Sequence, residues 1–182
     1  MKRRSFLKSA VSVFPLAISQ PFILAGEPAA DLSPEAHVVP AGQDMFGEAR
    51  SLGFSRITFK TSTQETDHVF LIEHDNLVSG GPGLHFHLAQ EEWFYVMEGE
   101  VVFQVGEKRL RLRAGESVLA PRKVPHAFTA VGDKPAKMLI AFSPAGKMEG
   151  FFREAAKPGA PPMDAALFQK YEMVLVGPPI KA

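Results

Sequence analysis

His85-Phe86-His87 sets two imidazoles two residues apart, and Glu92 follows five residues after the second. On a strand, residues i and i+2 share a face, so the two rings point the same way. Glu92 opens the run Trp93-Phe94-Tyr95-Val96, whose aromatic and β-branched residues read as a second strand. If the chain doubles back over Leu88–Glu91, the carboxylate comes opposite the histidine pair from an adjacent strand. Two imidazoles and a carboxylate at one point suit a divalent transition metal. A bare His-x-His is more often two ordinary half-buried strand residues. The carboxylate at this spacing, with Gly99 closing the strand and the turn Gly80-Gly81-Pro82-Gly83 opening it, argues for the metal instead.

A second segment supplies a further ligand. Gly115, Pro121 and His126 are spaced so that Pro121 and Pro125 stiffen the approach to His126, which shares a strand face with Phe128 and Ala130. His85, His87, Glu92 and His126 together offer three nitrogens and one carboxylate oxygen. On an octahedral ion about two positions then remain for substrate and for dioxygen or water. The donor set accepts one divalent transition metal among Mn, Fe, Co, Ni, Cu and Zn. Glu92 has two possible roles, ligand or general base toward the substrate. By alternation Phe103 and Phe128 are the expected walls of a substrate pocket.

The elements that must position these residues are short strands between turns. Phe54–Lys60, His68–His74, the paired strands around His85 and Tyr95, Val101–Val105, Arg109–Arg113, Ser117–Ala120, His126–Val131 and Ala136–Phe142 each read as a strand. Such spacing indicates an all-β sandwich or barrel. Arg109, Arg111 and Arg113 alternate with Leu110 and Leu112 and read as a solvated outer face. His68 and His74 have no partner at ligand spacing and read as strand-edge polar residues; His37 reads as solvated. After Ser143-Pro144 the pattern becomes helical, over Lys147–Lys157 and again from Asp164, a capping residue, to Tyr171. A short strand and a Pro-Pro stop end the chain.

The 182 residues carry 20 basic and 20 acidic side chains, but Lys2, Arg3, Arg4 and Lys8 are concentrated in an acid-free start. Without that start, 16 basic face 20 acidic side chains, a net charge of −4 that argues against nucleic-acid binding. Arg3-Arg4-Ser5-Phe6-Leu7-Lys8 resembles the bacterial twin-arginine export motif. The run to Ala25 is broken by Pro15, Ser19, Gln20 and Pro21, which suits a cleaved signal better than a membrane anchor. Cleavage after Ala25 or Ala30 is expected, with the mature protein in the periplasm. Export after folding would let the metal be installed in the cytosol, away from stronger-binding copper and zinc. The chain has no Cys, so no disulfide framework ties its stability to an oxidising compartment.

With both segments in view, the chain resembles the cupin superfamily. The first motif of that superfamily, G-x5-H-x-H-x(3–4)-E-x6-G, is met by His85, His87, Glu92 and Gly99, with the opening Gly one residue displaced at Gly80. The second, G-x5-P-x-G-x2-H-x3-N, is met by Gly115, Pro121 and His126, while Lys123 stands for the Gly and Ala130 for the Asn. The resemblance covers residues 54 to 142. It implies an all-β double-stranded β-helix (a jelly-roll barrel) with a short C-terminal helical tail, a metal inside the barrel and a homodimer. A weaker likeness, in His-Phe-His…Glu-Glu-Trp-Phe-Tyr-Val-Met-Glu-Gly and in Tyr171–Pro179 with Glu172 in place of a Gly, is to bacterial quercetin 2,3-dioxygenase-like cupins. The expected organisation is a signal at 1–30, an arm at 31–50, the barrel at 51–145 and the tail at 146–182. The expected activity is a dioxygenase acting on a small aromatic or enolic substrate. The alternatives are a redox-neutral isomerase or lyase, or a cupin that only binds.

Overall fold

The computed structural model of the chain describes residues 36–182. The expected export signal and the first residues of the expected arm lie outside the described residues. In order the chain forms β1 (Arg50–Ser51), β2 (Arg56–Phe59), β3 (Phe70–Leu77), β4 (Gly83–His87), β5 (Glu91–Glu98), β6 (Glu100–Val105), β7 (Lys108–Arg113), β8 (Ser117–Ala120), β9 (His126–Ala130) and β10 (Ala136–Ser143), then α1 (Met148–Ala155), α2 (Ala165–Lys170) and β11 (Met173–Pro179). The strands make two facing sheets, a six-stranded one in the order β1-β2-β3-β10-β5-β8 and a five-stranded one in the order β11-β4-β9-β6-β7. The fold is the mostly-β, two-sheet cupin sandwich with short C-terminal helices.

Alternation sets which side chains fill the space between the sheets. On β5, Glu92, Phe94 and Val96 are buried while Trp93 and Tyr95 face outward; on β10, Met138, Ile140 and Phe142 are buried. The register aligns Phe70, Phe142 and Glu92 as one inward row and Ile72, Ile140 and Phe94 as the next. From the opposite sheet Phe103 and Phe128 meet Phe94, with ring centroids 5.0 and 5.8 Å apart. Each buried Phe contributes about 1.5–3 kcal/mol of hydrophobic stabilisation.

The arginine face is as expected. Leu112 is buried, and Arg111 and Arg113 pair across the β6–β7 ladder with Glu100. Such exposed pairs add little stability. The histidine pair before it is not as expected. The strand runs over Phe70–Leu77, not from His68, which lies in the preceding bend with its side chain 90% exposed. His74 is no strand-edge residue: it shares the inward parity of Phe70 and Ile72 and is 1% exposed. Of the arm, the part from Asp44 is fastened down. Asp44 Oδ2 accepts from the Phe59 amide and pairs with Arg50, whose guanidinium lies 3.9 Å from the Phe59 ring centroid.

The tail completes the sandwich. β11 pairs antiparallel with β4, aligning Leu175 with His85 and Met173 with His87. Asp164 caps α2 by accepting from the amides of Ala166 and Leu167. No helix among the described residues is long and apolar enough to cross a membrane.

Candidate metal centre

β4 delivers His85 and His87 on one face, as their spacing requires, and both are buried. β9 is the antiparallel neighbour of β4, and His126 stands directly across from His85. Glu92 arrives differently from the sequence expectation. β4 and β5 are not adjacent strands; they lie in opposite sheets, because the Leu88–Gln90 connection carries the chain across the sandwich rather than around a hairpin. The carboxylate therefore meets the imidazoles face to face through the core.

The four side chains form one buried group whose ligand atoms all lie within 4.8 Å of one another. Glu92 Oε2 is 3.0 Å from His87 Nε2 and 2.8 Å from His126 Nε2. His85 Nδ1 donates to the Gly83 carbonyl and His126 Nδ1 to the Val124 carbonyl, each at 2.9 Å. A carbonyl only accepts, so each ring carries its proton on Nδ1 and turns Nε2 to the centre. Metal-ligating histidines are held in this way.

The electrostatics are those of a site built around charge. Burial, reinforced by His126, pushes the His85 pKa down to about 3, although Glu92 opposes it, so this ring is neutral with a free lone pair. Burial also presses on His126, but the Glu92 carboxylate outweighs it and holds the pKa above its ordinary value. Burial of Glu92 favours its neutral form, yet the bonds from His126 and His87 keep it well below the usual carboxylate range. His87 Nδ1 is buried without a hydrogen-bond partner.

These residues fit a divalent transition metal. Ligand atoms about 2.0–2.2 Å from one ion stand at most about 4.4 Å apart, so the observed spread needs only a small inward movement. The protons linking Glu92 to His87 and His126 are what a cation would replace.

A cavity adjoins the centre, bordered by His85, His87 and Glu92 on one side and by Phe128, Phe142 and Phe152 among its apolar walls. Its volume is ≈ 30 Å³. That is room for about one or two waters. Met148, Met163 and Met173 line it as well, and a substrate must part such adaptable side chains to enter. Phe128 is on this wall; Phe103 stands behind it, 6.1 Å from Phe128 between ring centroids. The cavity also reaches His74, which the sequence reading set aside. The signal was present, since Phe70, Ile72 and His74 alternate on one face of a strand.

Two departures from the expected motifs keep the backbone that the motifs describe. Lys123, where a Gly is usual, has φ 64°, and Glu172, likewise in a Gly position, has φ 62°. The left-handed region favours Gly, so each side chain sits there at a cost of about 1 kcal/mol or more. The Lys123 amide donates to the His87 carbonyl at 2.8 Å, fixing the loop before β9 onto β4.

Comparison with known proteins agrees with this architecture. Residues 77–142 match the Cupin domain family, and the matched stretch includes all four candidate ligands. Among curated proteins, an uncharacterised protein of Methanocaldococcus jannaschii, MJ1618, is 30% identical over 61 residues, covering 34% of this chain and 49% of that protein. The polyketide synthase CurC of Streptomyces cyaneus is 35% identical over 60 residues, covering 33% of this chain and 39% of that protein. The chain thus spans less than half the length of these two relatives. Among solved structures, an RmlC-like cupin from Shewanella frigidimarina superposes with a TM-score of 0.53 at 20% identity, over 63% of this chain and 96% of the other. The nucleoside dehydratase Pac13 of Streptomyces superposes at 0.52 and 12% identity, over 73% and 87%. At these identities the two structures share the fold alone.

Proposed function

We propose that the chain is a metal-dependent dioxygenase acting on a small, largely apolar aromatic or enolic molecule. The observation that carries this reading is the buried three-histidine, one-glutamate group opening onto an apolar cavity. When bound, a divalent transition metal there supplies Lewis acidity toward an enolate or phenolate oxygen and electron transfer toward dioxygen. His85 and His87 hold the ion from β4 and His126 holds it from β9. Aromatic walls select a flat substrate and exclude water from the reacting atoms. Glu92, held below the usual carboxylate range by two imidazoles, is a good anionic ligand and a weak proton acceptor. It becomes a competent base only when one of those bonds is given up.

Oxygen uptake by the metal-loaded full-length protein across flavonoids and catechols tests the reading, with metal content measured on protein exported from its native host. Consumption with at least one phenolic substrate is expected; none across the panel would count strongly against an oxygenase. A redox-neutral reading has one observation in its favour, the match to a polyketide synthase. It requires turnover without oxygen, by a zinc form as active as the iron or manganese form.

Export by the twin-arginine route and a periplasmic location are proposed from Arg3, Arg4 and the residues after them. A homodimer is proposed as well. It is supported by the outer face of the six-stranded sheet, where Leu71, Ala141, Trp93 and Leu119 line up across four strands and Leu119 is 50% exposed.

A further inference from the structure

A second polar group borders the cavity and takes no part in the metal centre. His74 Nδ1 lies 2.8 Å from Ser55 Oγ, while Nε2, on the far edge of the ring, is buried with no hydrogen-bond partner. Ser55 is itself buried, and its hydroxyl has no other acceptor among the described residues. The arrangement that satisfies both groups has the hydroxyl donating to Nδ1, which leaves the ring proton on Nε2. Burial lowers the His74 pKa to about 4 against the pull of Glu92, so the ring stays neutral. Phe54 stacks on it at 6.3 Å and Phe128 meets it edge-on at 5.7 Å, which fixes its direction. Buried donors without partners are rare, and one on a residue that lines a cavity is explained when a ligand brings the acceptor.

We infer that His74 is the second anchor of the cavity: its Nε2–H hydrogen-bonds a carbonyl or similar acceptor oxygen at the end of the substrate remote from the His85/His87/Glu92/His126 centre. The inference rests on the reading that the substrate occupies this cavity. It adds a length requirement. Glu92 is level with Phe142 and Phe70 across the sheet, and His74 lies four residues beyond Phe70 on β3. A molecule that reaches both carries an oxygen at each end.

Two probes separate the anchors, 2-naphthol and 6-acetyl-2-naphthol, which differ in an acceptor carbonyl at the far end. Binding is measured by calorimetry on the full chain as isolated. The wild type is expected to bind the acetyl compound about five- to tenfold more tightly, the worth of one hydrogen bond. His74→Phe loses that preference while still binding 2-naphthol, and His74→Gln, which keeps an N–H in reach, retains it. Ser55→Ala leaves His74 in place and weakens the preference, so the inference remains testable if His74→Phe does not fold. Imidazole ¹⁵N NMR is expected to place the His74 proton on Nε2. A preference that survives in His74→Phe, a wild type that binds neither naphthol, or a proton on Nδ1 overturns the inference. Metal content of the same samples is read separately: a wild type that takes up no metal sinks the metal reading and leaves the acetyl preference standing.

Discussion

Glu92 is the residue on which two of the three imidazoles converge, and its chemistry follows from having no water to turn to. Its carboxylate is shared between His87 and His126 at hydrogen-bond distance. Removing either partner leaves a buried charge poorly compensated. His87→Ala is therefore expected to reduce metal affinity by about 100-fold or more, beyond the 10–100-fold typical of an outer-sphere change, while the barrel stays folded. Elemental analysis and circular dichroism check the two halves of that expectation. His68→Ala serves as the comparison and leaves metal content unchanged, because His68 is solvated beside Asp67 and is not part of the ligand group. Full metal stoichiometry in His87→Ala would mean that the ligands are misassigned.

At the scale of elements, α1 closes the cavity and is held by one carboxylate. Glu149 Oε2 accepts from the Thr63 amide and hydroxyl, both at 2.7 Å, and from the Ser62 hydroxyl at 3.2 Å; Oε1 accepts from Arg153 at 2.8 Å. The helix is thereby tied to the loop between β2 and β3, and it carries Met148, Phe151 and Phe152 to the cavity wall. Burial opposes ionisation of Glu149, but Thr63 and Arg153 keep its pKa below 4.5. A lowered folded pKa means that the stabilisation is fully present above the unfolded value. It is lost as pH falls through the lower, folded one. Glu149→Gln should destabilise the protein by about 1–2 kcal/mol near neutrality, seen as a fall in Tm of a few degrees. The gap to the wild type should narrow in acid below about pH 4. A constant gap from pH 7 down to pH 3 would remove the charge from the explanation.

At the scale of the whole molecule, two properties lie beyond the single barrel. Arg3→Lys together with Arg4→Lys is expected to hold the protein in the cytoplasm at full-length mass, whereas the wild type is expected in the periplasm with the start removed. Cell fractionation and mass spectrometry distinguish the two, and unchanged export would dismiss the twin-arginine reading. For association, the row formed by Leu71, Ala141, Trp93 and Leu119 is the test surface. Leu119→Glu puts a charge into it and is expected to shift a dimer toward monomer in sedimentation velocity. A wild type that sediments as a monomer would end the proposal.

The sequence by itself determined most of the strands and the candidate ligands. A period of two places His85 with His87 and hides Phe94, Val96, Ile140 and Phe142, because burial on one face of a strand leaves that mark in the order of residues. The same period was legible in Phe70, Ile72 and His74, yet a polar residue at an inward position reads as an edge until the surroundings are known. Lys123 and Glu172 show the limit from the other side: the letters differ from Gly, while the backbone stays left-handed because the neighbouring strands impose it. Only the tertiary structure decided that β4 and β5 face each other from opposite sheets, that β11 closes on β4, and that His74 borders the cavity. Pairing between strands far apart in the chain depends on how the whole core packs, and no local pattern of residues encodes it.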